Sequence, residues 1–325
     1  MIITRTPFRM SFFGGGTDVK DYFEKSPGAV ISTTFDKYCN VVVRRLPPFF
    51  EYKSEFSYSK IERVNIIEEI EHPAIRNAMI MKGLHNVRLG YEADLPARSG
   101  LGTSSSFAVG MLNAFSLLQG QSLSKNELAK EAIYLERELC QEAGGWQDQI
   151  AAAYGGFNRI DFGENGFKVT PINIAKRRKE ELNSQLMMFF TGFTRFSADI
   201  QKVNLSETKD KKDQLKEMYS LVNDAQIILE DPNRDLEEFG KLLAHTWELK
   251  RGTSSVISTS AIDTMYQTGI NAGALGGKLL GAGGGGFFLF YVPLDKQQAV
   301  REALGDLLYI PFKFEDCGST VILNE

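Results

Sequence analysis

Five polar residues in this chain stand where glycine or helix geometry could turn them to chemical use: Arg9, Asp18, Ser104, Glu136 and Asp148. Asp18 closes the segment FFGGGTD, in which Gly14, Gly15, Gly16 and Thr17 precede it, and Arg9 lies on the apolar run just upstream. A carboxylate on a glycine turn can hydrogen-bond sugar hydroxyls, although an Asx-capped turn is the structural alternative. Ser104 and Ser105 follow Gly100, Leu101, Gly102 and Thr103 within LPARSGLGTSSS, which opens at Leu95 and Pro96. Glycines feeding a helix there would offer N–H groups and the positive helix end to an anion, and the serines are equally able to act as helix caps. Asp148 follows two glycines in GGWQDQIAAAYGG, where small residues let other segments pack close.

Other chemistries lack their residues. The three histidines, His72, His85 and His245, stand in no metal-ligand spacing, and no G-x-S-x-G elbow accompanies them. Cys39, Cys140 and Cys317 form no C-x-x-C pair and read as reduced structural thiols. A Walker A loop is absent. Gly281, Gly283 and Gly286 spell G-x-G-x-x-G, but they lead into a strand instead of opening a helix, which rejects a dinucleotide fingerprint. Four consecutive glycines there suit the close approach of two chain segments or a ligand. Carboxylates, hydroxyls, Arg/Lys and backbone amides remain.

The elements that must position these groups can be read from apolar periodicity. Ile2 to Met10, Ala29 to Phe35, Tyr38 to Arg45 and Val87 to Tyr91 read as strands. Phe107, Met111, Ala114, Phe115 and Leu118 recur at helical spacing directly after the middle glycine segment. Ser124 and Glu127 form a capping box ahead of a second helix, with Leu128, Leu135 and Leu139 on one side and Glu136 beside them. Strands return at Phe157 to Phe162 and Gln185 to Phe190. Helical patterns follow from about Thr208 to Leu229, through Leu236 to Trp247, and through Ile262 to Ile270. After Gly273 to Gly286 come a strand at Phe287 to Val292, a helix from about Asp295 to Leu307, and short strands near Phe312 and Val321. This is an α+β pattern.

A chain of 325 residues exceeds the roughly 250 to 300 at which one core stops growing, so two domains are expected. The charged stretch Lys176 to Glu181 puts the boundary near residue 180, giving domains 1–180 and 181–325. With 37 basic and 41 acidic side chains and a pI near 5.6, a sequence-independent nucleic-acid partner is not expected. No run approaches the roughly 18 apolar residues of a membrane span, and Arg5 and Arg9 interrupt the first apolar segment, so a cytoplasmic protein is expected.

Taken in order, these segments resemble the GHMP kinase superfamily over residues 4 to about 290. Its middle motif, P-x-x-x-G-L-G-S-S, is present as Pro96, Gly100, Leu101, Gly102, Thr103 and Ser104, with threonine replacing the first serine and keeping the hydroxyl. Its sugar-kinase motif is matched by Pro7, Arg9, Gly14 to Gly16, Thr17 and Asp18, and its C-terminal motif by Lys278 to Gly286. Within the superfamily, TPFRMSFFGGGTD, GGWQDQIAAAYGG, TGFTR and GGKLLGAGGGGF are most similar to the D-glycero-D-manno-heptose 7-phosphate kinases.

That resemblance implies an N-terminal lobe like ribosomal protein S5 domain 2, a ferredoxin-like C-terminal lobe, and ATP in the cleft. It implies that Gly100 to Ser105 hold the ATP phosphates, that Ser104 and Glu136 hold Mg²⁺, and that Asp148 accepts the sugar hydroxyl proton with Arg9 beside it. The interval from Glu136 to Asp148 is one residue longer than mevalonate kinase leads one to expect, which leaves Glu138 or a neighbour as an alternative ligand. Gly14, Gly15, Gly16, Thr17, Asp18, Gly283 and Gly284 would face the sugar, and Arg195 would take its phosphate in preference to Arg44, Lys250 or Arg251. The implied activity is phosphorylation of the anomeric C1 hydroxyl of a heptose phosphate. The alternatives are a fucose- or galactose-type kinase and a non-catalytic sugar and ATP sensor. The oligomeric state, a homodimer included, stays open.

Overall fold

The computed structural model describes residues 1–97, 99–192 and 211–325. Among these residues the strands form two sheets, one of nine strands and one of four. The first sheet is built around β1 (Ile2–Phe13) and the long β2 (Gly28–Arg45), which run antiparallel. β3 (Ser54–Ser57), β4 (Ile61–Val64) and β5 (Val87–Ala93) extend one end of β2, while β6 (Asn158–Gly163) and β7 (Gly166–Pro171) extend the other.

The runs Ala29 to Phe35 and Tyr38 to Arg45, expected as two strands, are one. Pro7 pairs with Tyr38 and Phe8 with Phe35, so Asp36 and Lys37 are two extra residues bulged out of a continuous ladder. Their polarity broke the apolar alternation without ending the strand.

The second sheet has the order β11–β8–β10–β9, with β8 (Leu186–Phe190), β9 (Gly276–Leu279), β10 (Phe287–Tyr291) and β11 (Leu308–Ile310) all antiparallel. The chain then returns to the first sheet. β12 (Phe314–Glu315) pairs with β2, and β13 (Thr320–Asn324) pairs with β1. A single cut at residue 180 therefore does not divide the two sheets. The expected helix from Asp295 to Leu307 is a 3-10 turn, Leu294–Lys296, followed by the shorter helix Gln297–Ala303. Of the helix expected from Thr208, residues 208–210 lie outside the described residues, and Lys212–Glu230 is helical.

Helices Pro73–Met81, Thr103–Leu118 and Lys125–Ile133 bury their apolar faces against the first sheet through Val41, Val43, Leu89, Met111, Phe115 and Leu128. The helix Lys125–Ile133 begins with the expected capping box, Ser124 accepting from the Glu127 N–H. A second core joins the sheets, with Phe12 and Phe13 meeting Phe239 edge-on at 5.3 and 5.0 Å. Such ring pairs add about 0.5–1.5 kcal/mol beyond the area they bury. β1 thus ties both lobes to the turn that follows it.

Candidate active site

Arg9, on β1, is almost wholly buried and points at Asp148, the second residue of the helix Gln147–Tyr154. Its Nε and Nη2 donate to the two Asp148 carboxylate oxygens at 2.8 and 2.7 Å, and Nη1 donates to the Gly100 carbonyl at 2.7 Å. A bidentate guanidinium fork fixes a carboxylate in plane and position, which a lysine could not do. The third bond pins the same fork to the middle glycine segment.

Asp18 lies beside this pair. Its Oδ1 accepts from the Gly16 N–H at 2.9 Å, and Oδ2 accepts from Gln147 Nε2 at 3.0 Å. Burial raises its carboxyl above the usual range, with the Asp148 charge adding to the effect and three backbone N–H contacts opposing it. A Cβ on Gly145 would stand 1.8 Å from Asp18 Oδ2, so glycine is needed there for the two segments to meet.

Gly102 is the N-cap of helix Thr103–Leu118, left-handed at φ 71°, and no side chain caps the helix. The serines therefore do not serve as caps. Ser104 Oγ donates to Glu136 Oε1 at 3.0 Å, Ser105 Oγ to Oε2 at 2.7 Å, and Ser106 Oγ to the Pro7 carbonyl. Ser104 is exposed, whereas Glu136 is 1% exposed. Pro96 is exposed at the start of the segment, and Leu101 is buried in the joint core with its carbonyl accepting from the Arg9 N–H.

The helix bearing Glu136 does not stay α-helical: Tyr134–Leu139 is a π turn, and the Cys140 N–H reaches back five residues to the Leu135 carbonyl. An i→i+5 turn takes in one more residue than an α turn, a physical account of the long interval from Glu136 to Asp148. Glu136 meets Ser104, while Glu138, the alternative, is exposed.

The third glycine segment closes the cleft from the second lobe by backbone contact. A Cβ on Gly100 would lie 2.4 Å from the Leu280 carbonyl oxygen, and one on Gly286 2.2 Å from that of Ser99. Both glycines also have positive φ.

Four expected sugar contacts are buried in packing instead. Gly283 and Gly284 are buried against Ile257: a Cβ on Gly283 would be 2.7 Å from its Cα, and the Gly284 N–H donates to its carbonyl. Thr17 is fully buried, its hydroxyl lying 2.8 Å from the Gly14 carbonyl and 2.9 Å from that of Ala29, so it shapes the turn. Gly14 is buried in the same turn, leaving Gly15, Gly16 and Asp18 nearest Gln147 and Asp148. Arg195 lies outside the described residues.

Sequence reasoning passed over Lys278, which lies on β9 and is 3% exposed, its Nζ donating to the Phe12 carbonyl at 2.7 Å. Burial holds its amine well below the usual range, and Lys250 and Arg9 add to the effect. Lys250, from the helix Glu237–Thr253, donates to the Gly281 carbonyl, and burial with Arg9 nearby pushes its amine down to about 8. A lone lysine inside a glycine and apolar strand was the available signal for Lys278. The cleft thus gathers the Arg9 guanidinium, two lysine amines, two carboxylates, a glycine-started helix and a hydroxyl–carboxylate pair. That set suits the transfer of an anionic group.

A two-lobed fold with a helix N-terminus beside an Arg–Asp pair suits phosphoryl transfer, and comparison with known proteins gives the class. Residues 64–156 match the GHMP kinases N terminal domain and residues 225–310 the GHMP kinases C terminal domain. The chain is 32% identical over 317 residues to a D-glycero-alpha-D-manno-heptose 7-phosphate kinase of Campylobacter jejuni, covering 93% of each. It is 27% identical over 91% of its length to an L-fucokinase/L-fucose-1-P guanylyltransferase of Bacteroides fragilis, spanning 35% of that protein. A D-glycero-D-manno-heptose 1-phosphate kinase structure from Bacteroides thetaiotaomicron superposes over all of both chains with a TM-score of 0.82 at 23% identity. The chain belongs to the GHMP kinase family. It is a kinase with the α+β fold of that family.

Among the described residues no helix is long and apolar enough to cross a membrane.

Proposed function

We propose that this kinase transfers the terminal phosphoryl group of ATP to the anomeric C1 hydroxyl of D-glycero-D-manno-heptose 7-phosphate, making the 1,7-bisphosphate for nucleotide-activated heptose. The observation that carries this reading is the Arg9–Asp148 fork, held between the Asp18 turn and the Gly100–Gly102 segment. The similarity to the Campylobacter jejuni heptose 7-phosphate kinase over nearly the whole chain supports the choice of sugar.

Asp148 accepts the proton of the attacking hydroxyl, and Arg9 keeps its carboxylate aimed. Asp18, Gly15 and Gly16 hold the sugar. The amides at the start of helix Thr103–Leu118, with the Gly100 to Ser105 backbone, take the ATP phosphates. Ser104 and Glu136 fit Mg²⁺, an oxygen-seeking ion that uses one or two protein ligands when phosphates supply the rest. Among the described residues no group of three or more His, Cys, Asp or Glu could hold a metal, so a site completed by the nucleotide is the one the residues suit. The ion would neutralise charge on the transferring phosphoryl group. Because phosphoryl transfer passes through a loose transition state, alignment and charge suffice without a covalent intermediate. Arg195 remains the proposed contact for the sugar's existing phosphate.

A coupled ADP-release assay with Mg-ATP tests the reading against the heptose 7-phosphate, the unphosphorylated heptose, fucose, galactose and mevalonate. Turnover confined to the 7-phosphate sugar and lost in Asp148→Ala is expected. Turnover on fucose, which the similarity to the Bacteroides fragilis enzyme would favour, moves the proposal to a neutral-sugar kinase. Binding of ATP without turnover moves it to a sensor.

A further inference from the structure

The two oxygens of Glu136 are not equivalent. Oε2 accepts from Ser105 Oγ at 2.7 Å and from Gln149 Nε2, with Arg137 Nη2 at 3.8 Å. Among the described residues, Oε1 accepts only from Ser104 Oγ, whose side chain is exposed. A carboxylate oxygen has two lone-pair sites, so among the described residues Oε2 is filled by protein donors while Oε1 keeps one free. Gln149 is fully buried, next in sequence to Asp148 and on the same helix. The π turn Tyr134–Leu139 presents Glu136 from the other side.

We infer that Ser105 and Gln149 are positioning residues: they anchor Glu136 through Oε2 so that Oε1, beside Ser104, is the oxygen offered to the metal that accompanies ATP. This rests on the proposed reading of Ser104 and Glu136 as the metal pair. Gln149 also makes the metal carboxylate and the proton-accepting Asp148 neighbours on one rigid scaffold, since consecutive helix residues 148 and 149 each fix one of them. Buried partners that orient a metal ligand typically contribute about 10- to 100-fold in metal affinity or activity.

The test is Mn²⁺ binding in the presence of ADP, followed by electron paramagnetic resonance, for the intact protein and for Gln149→Met, Ser105→Ala and Glu136→Gln. Metal-free ADP binding is measured alongside, and circular dichroism identifies the folded variants. Gln149→Met and Ser105→Ala are each expected to weaken Mn²⁺ binding by about 10-fold or more, and Gln149→Met, which lies outside the phosphate-holding segment, to leave metal-free ADP affinity unchanged. A merely structural role would lower both affinities of Gln149→Met together or neither, and either pattern overturns the inference. Unchanged Mn²⁺ affinity in the two positioning variants, with a loss in Glu136→Gln, overturns the inference alone. Unchanged affinity in Glu136→Gln as well overturns the metal reading beneath it.

Discussion

Arg9 grips both carboxylate oxygens of Asp148, at 2.8 and 2.7 Å, and anchors itself on the Gly100 carbonyl with its remaining terminal nitrogen. One side chain thereby sets the distance between the base and the glycine segment that starts the phosphate-facing helix. Asp148→Asn is expected to lower kcat by about 10² to 10⁴, the usual contribution of a general base, with ATP affinity retained. Arg9→Lys keeps the charge but loses the fork, so its kcat should fall by less, with the sugar KM rising. Steady-state kinetics with separate titrations of ATP and sugar would check both.

Gly102 offers a steric probe of the same pair. Its φ is 71°, and an added Cβ would stand 3.1 Å from Arg9 Cγ and 3.4 Å from Asp148 Oδ2. Gly102→Ala should cost about 1–2 kcal/mol through the left-handed backbone alone, and should reduce kcat further than that strain explains by displacing the pair. Thermal denaturation beside kinetics would separate the two effects.

Lys250 gives a pH signature with a definite sign. Its native amine titrates at about 8, below the ordinary value of 10.5, because burial, with Arg9 adding, disfavours the charged form while Asp18 partly opposes them. Between those values the unfolded chain holds a proton that the native chain lacks, so this group makes stability rise with pH across the window. Below about 8 both states are protonated and the slope vanishes. Urea denaturation of the intact protein and of Lys250→Met across pH 7 to 11 should show a difference whose slope is positive between about 8 and 10.5. A zero or negative slope of that difference would contradict this placement of Lys250.

Much of this site was legible because glycine has few reasons to recur. The segments around Gly14 to Gly16, Gly100 to Gly102 and Gly281 to Gly286 stood out in sequence, and each meets another part of the chain too closely for a side chain. Composition could not tell which glycines face a ligand. Gly283 and Gly284 serve the packing of Ile257, a partner far away in sequence. Helix periodicity carried no trace of the π turn, because Leu135 and Leu139 stay on the buried side whether the turn holds four residues or five. The return of β12 and β13 to the first sheet was equally hidden, since an exposed edge strand such as Thr320–Asn324 lacks a strong alternation. Lys278 was missed because a strand lysine is ordinarily solvated; here the Phe12 carbonyl holds it in the interior.

The most direct test of the central claim is ³¹P nuclear magnetic resonance of the product formed from D-glycero-D-manno-heptose 7-phosphate and Mg-ATP. The account predicts a second phosphate ester coupled to the anomeric proton, with the 7-phosphate signal retained and no such product from Asp148→Asn. A new ester at any other carbon, or no second ester at all, would contradict it.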